Sequence, residues 1–153
     1  MKNFPETVEE FLDGQILLID KPLGWTSFDV VKKIKNLIRT KYSLKKIKVG
    51  HAGTLDPLAT GLLIVCTGKF TKRISEIQNQ EKKYTGDITL GETTPSYDLE
   101  TEVDVAFETA HINEQLIQET TAQFIGEIDQ IPPIFSALKR GGERLYKKAR
   151  RGE

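Results

Sequence analysis

The sequence predicts an α+β domain, and three observations carry that reading. Apolar runs of strand length and apolar residues at helical spacing both occur, and they follow one another without the strict alternation of a parallel α/β sheet. With 153 residues and 38% apolar content, the chain is long enough to bury a real core and too short for two comfortable domains. One domain, or part of one, is the expectation.

The elements follow in order. Residues 14–20, GQILLID, read as a short buried strand closed by the turn Lys21-Pro22-Leu23-Gly24. Thr26 or Ser27 can cap a helix on which Val30, Val31, Ile34, Leu37 and Ile38 recur at helical spacing. Val49 leads into a glycine-rich loop, and residues 62–66, LLIVC, form a continuous apolar run expected to be a strand covered on both faces. Residues 71–78 read as a helix, and residues 84–90 alternate like a half-exposed strand with Tyr84, Gly86, Ile88 and Leu90 on one side. Residues 98–104 read as exposed loop and strand, and Asn113 can cap a helix carrying Leu116, Ile117 and Phe124. After the break at Pro132-Pro133, residues 134–138 read as a strand, Gly141-Gly142 as a turn and residues 143–151 as a short basic helix.

The formal net charge of zero conceals a segregation. Only cations stand between Asp29 and Asp56: Lys32, Lys33, Lys35, Arg39, Lys41, Lys45, Lys46 and Lys48. Acids dominate the middle, and the chain closes on Lys139, Arg140, Arg144, Lys147, Lys148, Arg150 and Arg151. A protein with one polyanion-facing side shows this pattern; a solvated face is the alternative that charge alone leaves open. The single Cys66 cannot pair within the chain and sits in an apolar run, so a small core residue in a reducing compartment is expected. The N-terminus lacks the apolar stretch of a secretory signal, and no run reaches membrane-spanning length, which leads us to expect a soluble, cytoplasmic protein with no membrane partner.

Chemistry concentrates in GHAGTLDPLATG, residues 50–61, where one carboxylate sits among three glycines and a proline. Glycine permits positive φ and close approach of the backbone, while Pro57 fixes its own φ and keeps Asp56 out of the helical region. The Asp56 carboxylate is therefore aimed. By itself an Asp-Pro pair is a turn former, and a tyrosine at a strand start is a packing residue. No second ligand stands at a suitable spacing from His51, so no metal site is expected; His111 reads as surface.

Four motifs together resemble the bacterial tRNA pseudouridine synthase B family: DKPLGWTS at residues 20–27, GHAGTLDPLATGLLIVCTGKFTK at 50–72, Lys83-Tyr84, and QIPPIFSALKRGGERLYKKARRG at 130–152. They occur in the family's order, and the set is far more specific than any short string within it. The resemblance implies a mixed-sheet α+β pseudouridine synthase core, isomerisation of the T-loop uridine of tRNA, and no metal or organic cofactor. Position by position, it places the catalytic aspartate on Asp56, the active-site tyrosine on Tyr84, the loop histidine on His51 and an RNA-facing carboxylate on Asp98. Lys21 and Pro22 match a turn that packs beside the catalytic loop, where Gly53 and Pro57 shape the backbone. Lys45, Lys46, Lys48, Lys139, Arg140, Arg144 and Lys147 would hold RNA phosphates.

The same resemblance implies that residues 1–153 are the N-terminal portion of the catalytic domain. The family pattern continues into a K-G-T-Y-I-R-type segment, whose basic residue pairs with the catalytic aspartate, and a small C-terminal RNA-binding domain. Apolar sheet area is then expected to stand uncovered. The expected partner is the tRNA T-arm, engaged by a monomer that needs no protein partner. The alternative function is a non-catalytic RNA-binding or tRNA-remodelling module; a guide-RNA-dependent relative fits less well, because that family differs around the loop.

Overall fold

Side-chain caps fix where the first helices begin. Thr7 and Glu10 form a reciprocal capping box at the start of α1 (Val8–Asp13), and Thr26 and Asp29 do the same for α2 (Ser27–Lys41). Between them runs β1 (Ile16–Lys21), and after α2 come β2 (Val49–His51) and β3 (Gly61–Thr67). A 3-10 turn over Gly68–Arg73 then leads into α3 (Ile74–Gln78). The computed structural model describes residues 5–136, 138–149 and 151–152. It divides into two compact units, Met1–Tyr84 and Thr85–Glu153.

In the first unit the three strands lie in the order β1-β3-β2 and both pairings are antiparallel. Leu17 faces Val65 and Ile19 faces Leu63 across the ladder, so one side of the sheet presents these four toward α2. They meet Phe11, Val30, Ile38 and Ile47 in a single core, each fully buried side chain contributing about 1.5 to 3 kcal/mol. Ser27, Val30, Val31 and Ile38 are the buried positions of α2, close to the predicted stripe. Leu37 is the exception and is exposed, because at 3.6 residues per turn it falls at the edge of the arc centred near Ile34.

β3 is covered less evenly than its apolar run predicts. Leu63, Val65, Cys66 and Thr67 are buried, whereas Leu62 is 61% exposed. The second face of the sheet carries Leu18 and Leu62 uncovered, with Asp20 beside them. Cys66 is the core residue expected, and burial pushes its thiol pKa up. Thr67, also buried, adds side-chain bonds to the backbone ladder: its Oγ1 donates to the Phe11 carbonyl at 2.9 Å and accepts from the Gln15 N–H at 3.1 Å. This ties α1 to the sheet.

The segment 84–90 is not a strand: residues 81–90 are exposed and without secondary structure. Alternation states which side a strand would bury, but a strand forms only where a second backbone completes its ladder. Among the described residues none does so here.

The second unit contains β4 (Glu92–Thr93), β5 (Val105–Ala106), α4 (Glu114–Ala122), β6 (Lys139–Arg140), β7 (Glu143–Arg144) and α5 (Leu145–Ala149). Asn113 caps α4 as expected, accepting from the Leu116 N–H at 2.9 Å, and Phe124 lies beyond the helix end. The strand expected at 134–138 forms later. Gly141 and Gly142 both take positive φ, 64° and 84°, and this tight turn pairs Arg140 with Glu143 and Lys139 with Arg144. Consequently α5 starts at Leu145 instead of residue 143. Ala137 and Arg150, which belong to the predicted strand and basic block, lie outside the described residues. The architecture is α+β, and every strand pairing among the described residues is antiparallel. No helix among them is long and apolar enough to cross a membrane.

Candidate functional site

The glycine-rich loop joins β2 to β3, and both of its ends are strand residues. His51 closes β2 opposite Val65, so it sits on the sheet and not at the loop's tip. Its Nδ1–H donates to the Gly53 carbonyl, which fixes the ring tautomer and leaves Nε2 as the uncommitted nitrogen. The Ala52 N–H continues the ladder to the Ile64 carbonyl at 2.8 Å. Gly53 and Gly61 then turn the chain at φ 109° and 106°. A Cβ at either would meet no atom within 4 Å, so backbone conformation, not space, selects glycine at both positions.

Three contacts hold the loop from behind. Ser27, 2% exposed, accepts from the Leu55 N–H at 2.9 Å and donates to the Leu55 carbonyl at 3.1 Å. The Gly24 N–H donates to the Pro57 carbonyl at 2.7 Å. The Ala59 N–H closes a turn onto the Asp56 carbonyl at 3.1 Å, with Pro57 at the position where a fixed φ is favourable. Asp56 is thus bracketed on both sides by anchored backbone. Its own side chain is exposed, and among the described residues no group donates a hydrogen bond to its carboxylate. An aspartate built only to form a turn would spend its oxygens on nearby N–H groups; this one keeps them free.

Lys21 supports the same region. It is fully buried and its ammonium donates to the carbonyls of Pro22 and Trp25 at 3.0 and 2.6 Å, tying the turn at residues 22–25 that carries Gly24 to the loop. The structure therefore gathers Lys21, Pro22, His51, Gly53, Asp56 and Pro57 into one assembly. Tyr84 is the last residue of the first unit and is 71% exposed; no hydrogen bond among the described residues joins it to Asp56. Asp98 belongs to the second unit, where its carboxylate accepts from the Glu100 N–H at 2.9 Å. Lys45, Lys46 and Lys48 are exposed between α2 and β2, and Lys139, Arg140, Arg144 and Lys147 are exposed in the second unit.

Ser27 and Gly24 escaped the sequence reading as loop anchors. From the sequence Ser27 reads as a cap, and its partner lies 28 positions away. The Thr26-Ser27 pair holds the one available hint: Thr26 takes the cap, which frees the next hydroxyl for another task.

The sequence matches the family described as TruB family pseudouridylate synthase (N terminal domain) over residues 39–153. It is 67% identical over 148 residues to a tRNA pseudouridine synthase B of Flavobacterium johnsoniae, covering 96% of this chain and 65% of that protein. It is 56% identical over 144 residues to the enzyme of that name from Parabacteroides distasonis, covering 94% of this chain and 61% of that one. For Chloroherpeton thalassium the values are 57% over 141 residues, 92% and 58%. The chain thus spans roughly three fifths of the length of these relatives. With a family match that covers residues 39–153, the chain belongs to the TruB family of pseudouridylate synthases.

Proposed function

We propose that this chain carries the catalytic carboxylate of a tRNA pseudouridine synthase that isomerises the uridine at position 55 of the T-loop, working as a cytoplasmic monomer on the tRNA T-arm without a protein partner. The observation that carries the reading is the Asp56 carboxylate, exposed and without a hydrogen-bond donor, on a loop pinned from behind by Ser27 and Gly24. Binding alone gives no reason for such an arrangement.

Pseudouridine formation breaks the bond from ribose C1′ to uracil N1 and rejoins the base through C5, which loses its proton. The Asp56 carboxylate has three routes into this chemistry: addition to the uracil ring, attack on C1′, or abstraction of a ribose proton. Each requires contact with the nucleoside, so the uridine must first leave its stack, at a cost of about a few kcal/mol. Stacking on Tyr84, worth roughly 1 to 3 kcal/mol per base, offsets that cost, and the phenol can move a proton as the ring regains aromaticity. His51 occupies the gap the base leaves. Asp98 faces the RNA, and Lys45, Lys46, Lys48, Lys139, Arg140, Arg144 and Lys147 hold phosphates.

The test follows tritium released from C5-labelled uridine in a tRNA transcript, using the protein at its full natural length. Asp56→Asn should abolish release while tRNA affinity stays within a few-fold. Turnover retained by that variant removes Asp56 from the mechanism. Tight binding by both proteins with release from neither favours a tRNA-remodelling module.

A further inference from the structure

On the side of α2 opposite the core, a groove of about 410 Å³ opens between the helix and the turn that precedes it. Gly24 and Trp25 form one wall, and Asp29, Lys32, Lys33 and Asn36 the other. Trp25 is the only tryptophan in the sequence and is 39% exposed, a large apolar surface to leave in water. Its backbone is fixed, the carbonyl by the buried Lys21 ammonium and the N–H by the Pro22 carbonyl at 3.4 Å. The indole is therefore presented from a rigid support.

The charge around it is one-sided. Lys32 and Lys33 are exposed and form no ion pair among the described residues. The one carboxylate in the groove, Asp29, is engaged by the Thr26 hydroxyl and N–H at 2.5 and 3.1 Å. One helical turn further, Arg39 lines a second hollow that shares Asn36 with the first. An exposed indole on an anchored backbone, followed along the helix by Lys32, Lys33 and Arg39, is the pairing that holds single-stranded nucleic acid, with a base on the ring and its phosphates along the cations. The groove also adjoins the loop of Asp56, since Gly24 in its wall donates to the Pro57 carbonyl.

We propose that this groove is a second RNA subsite, in which a nucleotide outside the Asp56 site stacks on Trp25 while Lys32 and Lys33 hold its phosphates. The inference rests on the reading of the chain as a tRNA-binding protein. Because Trp25 is the only tryptophan among residues 1–153, the fluorescence of this chain reports the subsite directly, while anisotropy of a labelled tRNA transcript reports overall binding. The expected result is that Trp25 emission is quenched over the same tRNA concentrations that raise anisotropy. Trp25→Ala should weaken binding by about five- to a hundredfold, and Trp25→Phe, which keeps a ring, should recover most of it. Lys32→Glu with Lys33→Glu should lower the slope of log K against log salt by about 2. Binding by anisotropy with emission unchanged, or equal affinity in Trp25→Ala, overturns the subsite alone. A failure of tRNA to bind overturns the tRNA reading and the subsite with it.

Discussion

Removing one oxygen from Ser27 should loosen the loop that holds Asp56. Ser27 is buried and makes two hydrogen bonds to a single residue, accepting from the Leu55 N–H and donating to its carbonyl. Ser27→Ala deletes both and leaves both Leu55 groups without a protein partner. At a net 0.5 to 1.5 kcal/mol per bond the loss is about 1 to 3 kcal/mol. Two corrections reduce it: alanine is the better helix former by a few tenths of a kcal/mol, and Leu55 is only half-buried, so water reaches part of what is freed. The helix cap is untouched, because Thr26 and not Ser27 makes it. The net expectation is about 1 to 2 kcal/mol. Urea unfolding followed by Trp25 emission measures it, since Trp25 lies in the same unit, and the midpoint should fall with the slope unchanged. A loss below about 0.5 kcal/mol, within the range of ordinary surface substitutions, would refute the claim that Ser27 anchors the loop.

Two further predictions concern charge. The Thr26 hydroxyl and N–H hold the Asp29 carboxyl below its ordinary pKa. A depressed folded-state value contributes stability that is present above the unfolded pKa and lost as pH falls through the folded one. Asp29→Asn should therefore flatten the acid limb of a stability-against-pH curve below the usual carboxylate range, and an acid limb identical to wild type would contradict the capping box. Reversing Lys45, Lys46 and Lys48 to glutamate should lower the salt slope of tRNA binding by about 2 to 3; an unchanged slope places that block on a solvent-facing surface.

The helix α2 and the strand β3 were legible because each is written in a local code, the spacing of Val30, Ile34 and Ile38 in one and an unbroken apolar run in the other. Cys66 followed from the same run. Non-local contacts were not legible. The pattern at 84–90 says which side chains would share a face, but nothing within it says whether a neighbouring backbone is present. The 134–138 stretch was displaced by a turn whose two glycines choose the register of Lys139 and Arg140. His51 looked like loop because three residues of strand are too few to show a period. Within the site, the loop's stiffness could be read from Gly53 and Pro57, whereas the helix residue that pins it stands 28 positions away. The structural reading of Lys21 came from the motif resemblance, whereas the carbonyls of Pro22 and Trp25 that hold its buried ammonium are visible only in the fold.

The sheet of the first unit also bears on self-association. β1 lies at one edge, and its outward face shows Leu18 next to Asp20, with Leu62 directly across the ladder from Asp20. Greasy side chains on an edge strand invite another molecule to stack there or extend the ladder. Asp20 opposes both, because a second copy laid on that face would have to dehydrate two carboxylates of like sign for a modest gain in apolar contact. Asp20 thus sets a charge cost on laying a second copy of the strand against this face.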